Sequence, residues 1–103
     1  MKYGLKEVDI TQILLTFGDY PEIEKVILYG SRAKGNYREG SDIDLCLVGN
    51  TLNFDIQIKI ENKLDDLLLP YNIDLSIYHK LDNLDLIQHI DRVGILIYDK
   101  NKK

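Results

Sequence analysis

Residues 30–49, GSRAKGNYREGSDIDLCLVG, decide how this chain is read. A small basic turn carrying Arg32, Lys34 and Arg38 runs into DIDLCLV, a strand-like run with two aspartates among isoleucine, leucine and valine. Aspartate is a poor strand former, and a buried carboxylate without a partner is strongly disfavoured. Along a strand, side chains two apart share a face and adjacent ones oppose each other. Asp42 and Asp44 should therefore project together, with Ile43, Leu45 and Leu47 turned to a core on the other side. Carboxylates that close repel unless a proton or a cation neutralises them. A hard divalent ion such as Mg²⁺ prefers oxygen ligands of this kind.

Asp74 repeats the arrangement in NIDLSIY, where Ile73, Leu75 and Ile77 alternate with Asp74, Ser76 and Tyr78. If the two strands are neighbours, three carboxylates converge on one patch. That count suits two divalent ions, which in phosphoryl chemistry sit roughly 3.5–4 Å apart. Upstream, Gly30 ends an apolar run and Ser31 is expected to cap a short helix. A helix start presents N–H groups to phosphate, and the basic residues add positive charge beside it. Taken singly, a Gly-Ser turn, a basic loop and a strand-edge aspartate are ordinary features. In this order and spacing they compose a nucleotide site. A P-loop does not fit: Gly30 and Gly35 have its glycine separation, but Asn36 and Tyr37 stand where Lys and Ser/Thr are required.

The segments on either side frame that core. Residues 6–17 place Val8, Ile10, Ile13, Leu14 and Phe17 at helical spacing, with Gly18 and Pro21 to stop the helix. KVILYG reads as a short buried strand. The stretch from Phe54 alternates like a strand at first, yet Ile56, Ile60, Leu64, Leu67 and Leu68 share one helix face, which predicts a helix over about 53–69. NIDLSIY is a third strand, NLDLIQHIDRVG a helix stopped by Gly94, ILIY a last short strand and DKNKK a solvated tail. Alternating helices and strands give an α/β layer.

A chain of 103 residues fits one compact domain, spanning residues 1–103. With 45% hydrophobic and 29% charged residues it can build a single core. A net charge of −4 argues against a protein devoted to gripping nucleic acid, since phosphate binding relies on a basic surface, and suits a basic partner better. The lone Cys46 permits no internal disulfide, and His79 and His89 lie too far off in sequence to complete a zinc site with it. No signal-peptide pattern and no apolar run near the ~20 residues of a membrane span are present, so the cytoplasm is the expected location.

At Gly30-Ser31, ten intervening residues, Asp42-Ile43-Asp44 and then Asp74, the sequence resembles the DNA polymerase beta-like nucleotidyltransferase superfamily. It is similar in particular to the minimal nucleotidyltransferase (MNT) group, through KVILYGSRAKGNYREGSDIDL and HIDRVGILIY. The resemblance implies a small mixed β-sheet with helices packed on one face. It implies that Asp42, Asp44 and Asp74 are catalytic and hold Mg²⁺, as two ions, and that Asp74 helps deprotonate the attacking hydroxyl. Gly30, Ser31, Arg32 and Lys34 would bind the nucleotide; Lys34 stands where arginine is frequent in that group and offers a point charge in place of a fork.

Larger relatives carry a helical substrate domain, so here the acceptor is expected to come from another protein. In the MNT group that partner is typically a HEPN-domain toxin, an RNase, silenced by transfer of AMP from ATP to a tyrosine. The expectation is a Mg²⁺-dependent protein adenylyltransferase antitoxin in a hetero-oligomer with its toxin. The alternatives are an antitoxin that neutralises by binding alone and a nucleotidyltransferase acting on a small molecule.

Overall fold

Four short apolar runs form strands: β1 (Lys25–Tyr29), β2 (Ile43–Val48), β3 (Ile73–Ile77) and β4 (Ile95–Asp99). Four helices alternate with them: α1 (Glu7–Gly18), α2 (Gly30–Lys34), α3 (Phe54–Asp65) and α4 (Leu84–Val93). The computed structural model describes residues 2–102. The sheet order is β3-β2-β1-β4. β1 runs antiparallel to both β2 and β4, whereas β2 and β3 are parallel. A parallel pair cannot be closed by a tight turn and needs a crossover, which α3 provides.

Period-two alternation assigns the two faces of the sheet. Val26, Leu28, Ile43, Leu45, Leu47, Leu75 and Ile77 join Ile13 and Phe17 of α1 and Ile60 and Leu64 of α3 in the main core. Burying a side chain of this size stabilises by about 1.5–3 kcal/mol, so this layer dominates the fold. The opposite parity, Tyr29 and Cys46, lies under Ile90 of α4, with Ile27 and Leu86 packed against them. Helices therefore cover both faces, which corrects the expectation of a single helical layer. The apolar spacing of α4 shows that one side is buried but not which face of the sheet receives it.

Local signals explain the helix ends. The side chains of Asn53 and Asn83 accept hydrogen bonds from the N–H groups of Ile56 and Leu86, at 2.9 and 3.1 Å. Each such cap is worth about 1 kcal/mol. The helix expected over 53–69 does form, but it ends at Asp65. Leu68 turns into the left-handed region at φ 55° and is 87% exposed, and Pro70 disfavours a helical Leu69 before it. The tail is also shorter than expected: β4 runs through Asp99, and the Lys100 N–H donates to the Glu24 carbonyl at 3.0 Å. Lys103 lies outside the described residues. Among the described residues, no helix is long and apolar enough to cross a membrane.

Candidate active site

Asp44 and Asp74 are direct register partners across the parallel β2–β3 pair. The alternation that sends Ile43, Leu45, Leu75 and Ile77 into the core leaves both carboxylates on the other face. Asp42 stands one residue ahead of β2 and is exposed, as is Asp74, while Asp44 is half-buried. Burial pushes the Asp44 carboxyl above its ordinary 3.8, and the charges of Asp74 and then Asp42 push it further. Three acidic groups thus share a patch with little to offset them.

The turn meets this patch through Gly30. Its φ of +75° is a left-handed conformation that favours glycine. Oδ2 of Asp44 occupies the space that a Cβ on Gly30 would fill. Ser31 is not the cap the sequence suggests. The N-cap position of α2 is Tyr29, without a side-chain cap, and Ser31 lies half-buried within the first turn. The Ser31 carbonyl accepts from the N–H groups of Gly35 and Asn36. Lys34 is exposed in the last turn of α2.

Arg32 departs from its expected contact with a nucleotide. It is only 2% exposed. Its Nε and Nη2 donate to the Ser41 carbonyl at 3.1 and 2.8 Å, and its Nη1 donates to the Tyr3 carbonyl at 2.9 Å. The rings of Tyr37 and Tyr71 flank the guanidinium at 5.4 and 5.3 Å. Every nitrogen of the side chain is engaged in tying the basic turn to the N-terminal segment, so its role is structural.

His89 is a site residue that sequence reasoning missed. Its Nε2 accepts the Gly30 N–H at 3.2 Å, from 59 residues along the chain. No local pattern announces such a contact. Tyr29, edge-on to His89, has its phenol pushed up by burial, with the charges of Asp44 and Asp74 adding to the effect. It stays protonated at neutral pH.

The raised Asp44 carboxyl carries a prediction for stability. The folded protein holds that proton more tightly than the unfolded chain does. The favourable contribution is complete below the ordinary value of 3.8 and is lost as pH rises through the raised one. At neutral pH, Asp44→Asn should therefore raise Tm in the presence of a chelator. After discounting for solvent screening the gain is below about 1 kcal/mol, which at ~4–8 °C per kcal/mol is a few degrees. Thermal melts at pH 7 would check it, and a marked loss would mean that the carboxylate supports the fold.

Residues 11–103 match the family model described as "Polymerase beta, Nucleotidyltransferase". The chain belongs to this nucleotidyltransferase family. It is 47% identical over 51 residues to "Putative protein adenylyltransferase MJ0604" of Methanocaldococcus jannaschii, a match covering 50% of this chain and 47% of that protein. A second protein of that organism, "Putative protein adenylyltransferase MJ1547", is 50% identical over 42 residues, covering 39% of this chain and 34% of its own length. The matched region thus spans half or less of these curated relatives.

Among solved structures, a toxin-antitoxin crystal structure with AMP-PNP superposes with a TM-score of 0.70 at 23% identity, over 95% of this chain and 77% of the other. A tri-AMPylated Shewanella oneidensis HEPN toxin in complex with MNT antitoxin gives 0.68 at 19% identity, over 95% and 76%. At these identities the likeness establishes the fold, a mixed four-stranded sheet with helices of the polymerase beta-like kind.

Proposed function

We propose that this protein transfers AMP from ATP to a hydroxyl of a partner protein, a HEPN-type toxin, and silences it in the cytoplasm. The observation that carries the reading is the register pairing of Asp44 with Asp74, beside Asp42 and against Gly30. Nothing in the packing of the core requires acidic residues there. Family membership supports nucleotidyl transfer. The names of the two relatives support adenylyl transfer to protein, and the AMP-PNP complex and the AMPylated toxin among the structural matches support ATP and a toxin acceptor.

A divalent ion fits the donor set by its chemistry, since the three groups are hard oxygen donors whose like charges are nearly uncompensated. As they stand, no three acidic, histidine or cysteine side chains among the described residues are gathered tightly enough to enclose one. Carboxylates without a counter-ion repel, so drawing them together goes with binding. Asp42, Asp44 and Asp74 would hold Mg²⁺, as two ions, which supplies neutralisation of the triphosphate and polarisation of the α-phosphate.

The residues of the chain perform the rest. The Gly30–Ser31 turn and the exposed Lys34 orient the triphosphate, and Asp44, seated against Gly30, fixes where the α-phosphate meets the carboxylates. The acceptor oxygen forms its bond to the α-phosphorus as the bond to the bridging oxygen breaks, pyrophosphate leaves, and the hydroxyl proton passes to the Asp74 carboxylate. Catalysis rests on positioning and charge stabilisation.

Intact-mass spectrometry of a HEPN toxin encoded beside this protein, incubated with it, ATP and Mg²⁺, tests the proposal. Mass added in AMP units to a tyrosine supports it; neutralisation of the toxin with no added mass would replace it with binding alone. Gly30→Ala is expected to be nearly as damaging as loss of Asp44. A methyl group would take the place of Oδ2 and also strain the backbone by about 1 kcal/mol or more. A transfer rate within about threefold of wild type would show that the close approach is dispensable, since displacement of ~1 Å can cost 10²-fold.

A further inference from the structure

The amide of Gly30 is held from outside its own neighbourhood. Tyr29, at the N-cap of α2, provides no side-chain cap, and the Gly30 N–H instead donates to Nε2 of His89. The histidine is placed by its neighbour Ile90, 1% exposed, which fixes α4 over Tyr29 and Cys46. The ring stands edge-on to Tyr29, with centroids 6.1 Å apart and planes at 80°. The bond needs a lone pair on Nε2, which assigns the proton of the neutral ring to Nδ1.

Glycine at positive φ has other conformations open to it. Gly30 also forms the wall against which the Asp44 carboxylate rests. A lock on its N–H therefore limits where Asp44 can sit. We propose that His89 is a positioning residue for the transfer: by holding the Gly30 N–H it sets the backbone that orients the Asp44 carboxylate. This rests on the nucleotidyltransferase reading of the site, to which it adds a residue from the far end of the chain.

The test uses His89→Ala and His89→Gln, since the glutamine amide oxygen can accept the same N–H. Misplacement of a reacting group by ~1 Å costs up to about 10²-fold. His89→Ala should accordingly lower kcat by about 10–100-fold, with KM for ATP changed less than about threefold, and His89→Gln should recover most of the rate. In ¹⁵N-labelled protein without nucleotide, the Gly30 amide resonance should shift in His89→Ala and return towards its original position in His89→Gln. Unchanged kcat in a folded His89→Ala protein would overturn the proposal, as would a glutamine variant no faster than the alanine one. If His89→Ala does not fold, the glutamine variant decides: a rate near wild type supports the role, and a folded but slow protein overturns it. If the wild-type protein transfers nothing, the functional reading falls by itself. The Gly30 resonance then judges the lock alone, and an amide that ignores both substitutions overturns it.

Discussion

Alanine in place of Asp44 is expected to lower the proposed AMP transfer by at least about 10²–10³-fold, the usual consequence of removing one electrostatic group from a reaction centre. Asp44 is the carboxylate with most reason to show so large an effect. It pairs in register with Asp74, responds to Asp42 and touches the Gly30 turn. Loss of its side chain therefore severs the carboxylate patch from the turn proposed to carry the triphosphate. The folded state should survive, because the apolar partners of β2 lie on the opposite face. Association with the proposed toxin partner should survive as well. Intact mass and a pull-down on the same preparation would separate the two effects. Undiminished mass addition by Asp44→Ala would remove this carboxylate from the mechanism.

Arg32→Ala is expected to strike stability as hard as Asp44→Ala strikes activity. The substitution removes three charged-donor hydrogen bonds and leaves the carbonyls of Ser41 and Tyr3 without that donor. Hydrogen bonds to charged groups contribute about 1.5–3 kcal/mol each, and an orphaned buried acceptor costs about 1–3 kcal/mol. Part of the loss is recovered by water, so about 3–5 kcal/mol is the expected total. That is a large share of the ~5–15 kcal/mol that holds a domain together. Tm should fall by more than about 12 °C. Arg32→Lys should rescue little, since an ammonium cannot reproduce the planar fork between two carbonyls and two tyrosine rings. A melt within a few degrees of wild type would show that the turn is held by other contacts.

The parts of the molecule legible in the sequence were those set by short-range periodicity. Alternation in DIDLCLV and NIDLSIY placed Asp44 and Asp74 on one face, and the parallel pairing of β2 with β3 made them neighbours. What escaped was fixed by partners distant in the chain. Arg32 among Lys34 and Arg38 reads as one more phosphate-seeking cation, because neither Tyr3 nor Tyr71 is visible as its neighbour in sequence. His89 gains its contact with the turn only when α4 is laid over Tyr29. Ser31 lies two positions past the cap, since α2 opens at Gly30 with Tyr29 before it.

Between β2 and β3, dependence runs one way only. Ile43, Leu45 and Leu47 against Ile73, Leu75 and Ile77 set the alignment, and a slip of one residue would turn Asp74 inward and an apolar neighbour outward. The aspartates contribute nothing to that alignment and weaken it slightly. A lineage that lost Asp44 by a single substitution would keep a folded protein, whereas erosion of the apolar residues would take the proposed chemistry with it. Selection can thus switch the proposed transfer off without dismantling the protein.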